Sequence, residues 1–233
     1  MARIPGPPGG PPQIEIALRR SARARRISLR VSGLDGQVTL TLPARVREAE
    51  GLAFARSRAD WIAQALARVP RAAQIAPGVA FPVEGRLRAI TAGPARGAVH
   101  LTDEGLVVPG DPSQCGVRVA TFLRHLARAR LERSVAHYTQ ALGRRHSSLT
   151  LRDTRSRWGS CTAAGGLMFS WRLIMAPPEV LDYVAAHEVA HLAEMNHSPR
   201  YWAVVARLLP GYEAPRRWLK SHGSDLHAWR FQD

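Results

Sequence analysis

Residues 185–202, AAHEVAHLAEMNHSPRYW, place three histidines and two glutamates in a run that otherwise reads as a buried amphipathic helix. Positions four apart on a helix lie about 40° apart around the axis and one turn up, so His187 and His191 project from one face within reach of a single ion. Glu188 is about 100° from His187, which sets its carboxylate beside such an ion rather than on it, in reach of a bound water. A tetrahedral catalytic zinc needs a third protein ligand and an open fourth position. The helix ends in time to supply one. Asn196 tolerates the left-handed conformation that closes helices, and Ser198-Pro199 reads as an N-cap followed by the first residue of a new helix. His197 sits at that corner and is assigned as the third ligand, with Glu213, His222 and Asp225 as alternatives on longer returns.

The competing reading is a set of satisfied core histidines. The neighbours Val184, Ala185, Ala186, Val189, Ala190 and Leu192 are apolar. Imidazoles and a carboxylate buried among them would cost several kcal/mol unless something satisfied them, and a metal satisfies all of them.

Outward from this helix, "PPEV" before it supplies proline for its first turn. "SLTLRD" and "GLMFSWRLIMA" are predicted strands joined by "TRSRWGSCTAAG", and GLMFS is a candidate for pairing with an extended peptide. A long helix is expected over residues 116–142, with Val119, Phe122, Leu123, Leu126, Leu131, Val135 and Tyr138 apolar among arginines. Residues 79–108 read as short strands. Residues 48–69 form one predicted helix whose stripe of Phe54, Trp61, Ile62, Leu66 and Val69 covers a meander of about three strands, IEIALRR, RRISLRV and QVTLTLP. Residues 1–12, nearly all Pro and Gly, are expected to be a disordered tail. The fold class is α+β: a β-rich region over 13–110, then a domain over 111–233 with a long helix, a small antiparallel sheet and the HExxH helix.

The chain has 233 residues, 45% of them hydrophobic, which is enough for a substantial core. Its formal charge is +15, almost all arginine, with Lys220 as the one lysine. This admits a nucleic-acid partner, although a solvated basic face is commoner and a GC-rich genome yields the same composition. Two cysteines, Cys115 and Cys161, are too few for a disulfide framework or a four-cysteine metal site. With no apolar segment of membrane-spanning length and no export signal, a cytoplasmic protein without membrane contact is expected.

SRWGSC, RLIMAPPEVLDYVAAHEVAHLAEMNHSPRYWAVVARLLPGY and the N-terminal RRISLRV with ADWI together resemble the YgjP-like family of predicted zinc metallopeptidases, related to the SprT-like zincins. The resemblance implies a minimal zincin fold with one Zn2+ on His187, His191 and His197, and Glu188 as catalytic base. It departs from the family at Ser170, where an Asn usually precedes the W-R-L-I segment. Metzincin spacing is also matched, but Glu194 stands at the turn glycine and no Met-turn follows.

The expected activity is hydrolysis of a peptide bond by a metal-activated water, with Glu188 accepting its proton and returning it to the leaving amine. Tyr201 is the candidate oxyanion stabiliser, with Tyr183 and Arg172 as further candidates. Trp158 and Cys161 are expected to pack beneath the motif helix, and Cys161 as a fourth ligand would close the site. The alternative function is a basic nucleic-acid-binding protein, or a protease recruited to nucleic acid, with a structural metal.

Overall fold

The computed structural model describes residues 1–231, so the last two residues of the expected 111–233 domain lie outside the described residues. The chain divides into two compact units at Arg71/Ala72, well before the boundary expected near residue 110.

The first unit holds strands β1 (Ala2–Pro5), β2 (Gln13–Ser21), β3 (Ser28–Val31) and β4 (Val38–Pro43) in one sheet of order β1-β2-β4-β3. Residues 1–12 are therefore not a disordered tail. Ile4 stands opposite Ile14 in an antiparallel pair, and both are buried, so one isoleucine is enough to dock the segment while the Pro/Gly stretch turns the chain back. Nor is the sheet a meander. β2 and β4 pair in parallel and β3 pairs antiparallel to β4, so the loop after β2 crosses the end of β4. The hairpin between β3 and β4 turns at Gly36, whose φ is 70°.

Ile14, Ile16, Val38, Leu40 and Leu42 alternate inward, and helices α1 (Glu48–Arg56) and α2 (Ala59–Ala67) add Ala55 and Ile62 to that core. The single helix expected over 48–69 is thus two. The Ser57 hydroxyl donates to the Phe54 carbonyl, a local bond that competes with continuing the helix, and Arg58 leaves helical geometry. The break rotates Trp61 outward, where it is 48% exposed rather than part of the apolar stripe.

The second unit opens with the short strand β5 (Ala73–Gln74). Strands β6 (Ala80–Val83), β7 (Arg86–Ala92), β8 (His100–Leu101) and β9 (Gly105–Val108) form a sheet of order β6-β7-β9-β8. The long helix α3 (Cys115–Leu142) buries Val119, Leu123, Ala127, Leu131 and Val135 along one stripe and stops at Gly143, which is left-handed. Beyond it lie β10 (Ser148–Arg152), β11 (Gly159–Cys161) and β12 (Gly166–Ser170), followed by a 3-10 turn at Trp171–Met175. Helices α4 (Pro178–Ala190), α5 (Pro199–Leu208) and α6 (Glu213–His222) follow, and β13 (Trp229–Arg230) closes against β5.

The small sheet is mixed, not antiparallel: β12 is its middle strand, parallel to β10 and antiparallel to β11. The linker RWGSC supplies the extra strand β11, which takes the edge, so GLMFS has both neighbours filled and cannot itself accept a peptide strand. The α+β class stands. Buried faces of α3, α4 and this sheet share one core through Leu131, Val135, Phe169, Val184 and Val189.

Candidate metal centre

Helix α4 begins with Pro178 at its first turn and delivers His187 and Glu188 near its C-terminal end. His191 caps that end in helical geometry, and two tight turns reverse the chain: Leu192 N–H bonds the Val189 carbonyl, and Ala193 and Glu194 N–H bond that of Ala190. Asn196 does not take the left-handed conformation expected of it, since Glu84 is the one non-glycine at positive φ among the described residues. Instead Ser198 N–H bonds the Asn196 carbonyl at 2.7 Å. The Ser198 hydroxyl then caps α5 by accepting from Tyr201 N–H, with Pro199 in the first turn.

This corner returns His197 to the other two imidazoles. The Nε2 atoms of His187 and His197 stand 3.2 Å apart, and the ligand atoms of His187, His191 and His197 all lie within 4.8 Å of one another. Nitrogens each bound at 2.0–2.1 Å to a tetrahedral zinc stand about 3.3 Å apart, which the His187–His197 pair matches, and His191 lies close enough to complete a three-nitrogen set. Among the described residues these three are the group able to hold an ion, and Glu213, His222, Asp225 and Cys161 are not part of it.

The protonation chemistry suits metal binding. Burial, helped by the neighbouring His191, His197 and Arg216, pushes His187 down to about 3, so its ring is neutral and carries a free lone pair at ordinary pH. Burial also lowers His191, partly offset by its bond to the Glu194 carbonyl. His191 Nδ1–H donates there at 3.0 Å, which directs Nε2 toward the cluster, the orienting contact that metal-bound imidazoles ordinarily make. His187 Nδ1 lies 3.5 Å from the Tyr183 hydroxyl.

Glu188 is buried, with 5% of its surface exposed. Burial pushes its carboxyl up to about 8, against a downward pull from Arg157. A carboxylate made this basic by desolvation is suited to exchanging a proton with water near neutrality.

Tyr201 is not the oxyanion donor the sequence suggested. It is fully buried, its hydroxyl donates to the His187 carbonyl at 2.9 Å, and its ring stacks on His191 at 4.5 Å. With its proton already given, it holds the end of α4 and the His191 ring in place. Arg172 is likewise occupied, binding Asp153 through two nitrogens and the Leu226 and Trp229 carbonyls through a third.

Residues 25–222 match the family described as YgjP-like, metallopeptidase domain. The chain belongs to that family. A comparison with curated proteins gave no match. Among solved structures, the chain is similar to the crystal structure of the metallopeptidase zymogen of Pyrococcus abyssi abylysin, with 21% identity and a TM-score of 0.36 over 39% of this chain and 92% of that one.

The YgjP-like match takes in elements whose part in the site spacing alone did not disclose. Gly159 on β11 lies directly against the Glu188 carboxylate. Trp158 packs on Gly223 and on the His227 ring, 4.9 Å between centroids, and its carbonyl accepts from Ser170 N–H. Cys161 gives its weak S–H bond to the Thr162 carbonyl and is raised by burial and then by the Glu188 charge. Beside the triad, Tyr212 stacks between Tyr183 and Trp202, and the Arg216 guanidinium lies 4.4 Å from the Trp202 ring centre. Trp202 is itself 5.9 Å from both His187 and His197. Arg216 was hidden in a basic run with no spacing to mark it. Ser170 is fully buried with no hydrogen-bond partner for its hydroxyl among the described residues.

Proposed function

We propose that the chain is a zinc-dependent peptidase in which His187, His191 and His197 hold one Zn2+ and Glu188 is the general base. The observation that carries this reading is the convergence of three imidazoles next to a buried carboxylate that burial makes more basic. An all-nitrogen set of three with a position left open suits zinc and hydrolysis. When bound, the ion supplies a water of lowered pKa and polarises the substrate carbonyl.

The protein's own residues do the rest. Glu188 accepts a proton from the attacking water on its carboxylate oxygen and carries it to the amine nitrogen as the C–N bond breaks. His191 is kept in one tautomer by the Glu194 carbonyl, and His187 is steadied through its backbone by Tyr201. Arg216, pinned on Trp202, is the cation we assign to the negative charge that grows on the carbonyl oxygen. An extended peptide would pair with the outer edge of β11 and not with β12, whose two edges are filled.

Metal content and cleavage of a casein or fluorogenic peptide substrate, measured on the wild type, Glu188→Gln and His197→Ala, test the reading. Glu188→Gln is expected to keep stoichiometric zinc and lose hydrolysis by about 10²-fold or more. His197→Ala is expected to lose zinc, and with it the rise in Tm that zinc gives the wild type. Undiminished hydrolysis in Glu188→Gln would remove that residue from the mechanism.

A further inference from the structure

The first unit carries thirteen arginines against five acidic residues within 71 positions, more than half of the whole chain's net charge. The fold gathers a subset of them. Because β2 and β4 run parallel, with Arg20 opposite Leu42 and Ser21 opposite Pro43, the segments that leave the two strands emerge at the same end of the sheet. β3 begins at that end too, with Ser28 opposite Thr41, so the connection from β2 to β3 passes across the exit of β4. The first connection carries Arg23, Arg25 and Arg26, and the second carries Arg45 and Arg47; all five are exposed. Arg20 ties the two together by donating from Nη1 to the carbonyls of Ala44 and Val46, at 3.3 and 3.0 Å. Between them lies a cleft of about 620 Å³ whose lining includes Arg25, Arg26 and Arg45, with Glu50 as its acidic member.

We propose that this end of the first unit is a binding surface for the phosphate backbone of nucleic acid. Guanidinium groups offer paired donors that fit phosphate oxygens, and here all the positive groups are guanidinium. Five of them at one end, from two neighbouring loops, are more than one small anion can engage and suit a ligand that carries several phosphates. A lipid surface fits less well, because membrane-seated elements present apolar side chains beside their basic ones. The exposed large hydrophobics, Met1, Trp61, Leu87, Val117 and Met195, include none from these loops. With no base-reading element in the two loops, recognition is by charge and shape, without sequence preference. The surface goes beyond the peptidase reading and does not rest on it.

The test uses the full chain and fluorescein-labelled 20-nucleotide DNA of mixed sequence, single- and double-stranded, with anisotropy read from 50 to 200 mM NaCl. The wild type is expected to bind with an affinity that falls steeply with salt. Arg25→Ala/Arg26→Ala/Arg45→Ala is expected to weaken binding at least tenfold and, on duplex, to lower the slope of log K against log salt by about 0.9 for each phosphate that is no longer neutralised. A control with the same charge loss on exposed positions of the second unit, Arg133→Ala/Arg144→Ala/Arg145→Ala, is expected to stay within about threefold of wild type. Equal weakening by both triple variants would mean net charge alone is being read and would overturn the proposal. So would failure of the wild type to bind at 50 mM NaCl, or retention on phosphatidylserine vesicles without DNA binding.

Discussion

The Glu188 carboxylate rests against the α-carbon of Gly159: a methyl group built there would stand 2.5 Å from Oε1 and 2.6 Å from Cγ. The glycine is needed for space, not for an unusual backbone angle, since it is not among the residues at positive φ. The first atom to yield to a larger residue would be the carboxylate itself. Gly159→Ala is therefore expected to leave the fold and zinc content intact while moving the proposed base, with kcat falling about 10-fold or more and KM changing little. Wild-type kcat in a folded, zinc-loaded Gly159→Ala would show that the position of this carboxylate does not limit the reaction.

Tyr201→Phe separates support from catalysis. The variant removes the hydroxyl that bonds the His187 carbonyl and keeps the ring on His191. A stability loss of about 1 kcal/mol is expected from the missing hydrogen bond, measured by urea unfolding. Peptide hydrolysis is expected to stay within a few-fold of wild type. A drop in kcat of about 10² to 10³, the size typical of a missing oxyanion donor, would return Tyr201 to the role the sequence had suggested.

The legible parts of this molecule are those set by short-range rules. Helical period places His187 and His191 together, Ser198-Pro199 marks the restart of a helix, and Gly143 marks the end of α3. What the sequence hid depends on partners distant along the chain. Nothing local distinguishes a β2 that pairs parallel to β4 from one in a meander, or tells that Ile4 will find Ile14. The strand β11 is three residues long and carries no alternating pattern, so its insertion at the sheet edge, and with it the approach of Gly159 to Glu188, emerges only in three dimensions. The same is true of Tyr201, whose residue type suits an oxyanion donor but whose hydroxyl is spent on a backbone carbonyl fourteen residues away.

Ser170 offers a stability test at a residue outside the cluster of His187, His191 and His197. A buried hydroxyl without a partner carries its desolvation cost uncompensated, so Ser170→Ala is expected to be neutral or to stabilise by up to about 1 kcal/mol in urea unfolding, with zinc content unchanged. A loss of more than about 1 kcal/mol, or of zinc, would show that the hydroxyl has a partner that matters.

His227 gives the second unit a dependence on acid. It is buried at 5% exposure, 4.9 Å from the Trp158 ring, and burial, reinforced by Arg172 and further by Arg155 and Arg230 against the opposing Asp153, pushes it down to about 4. Released on unfolding, it titrates near 6.5. Above that pH the ring is neutral in both states and the difference vanishes. Between about 6.5 and 4 the unfolded chain takes up a proton that the folded chain refuses, so stability falls as pH falls, by up to about 3 kcal/mol across the window. His187, also pushed down, adds a loss of the same sign in the metal-free protein, and raised Glu188 acts oppositely, losing stability as pH rises from the ordinary carboxylate range toward 8. The contribution of His227 is isolated by comparing His227→Phe with the wild type, both metal-free, in urea unfolding between pH 7 and 4.5. The variant keeps a ring on Trp158 and cannot protonate, so its advantage over wild type is expected to grow steadily as the pH is lowered; parallel profiles would place the acid sensitivity elsewhere.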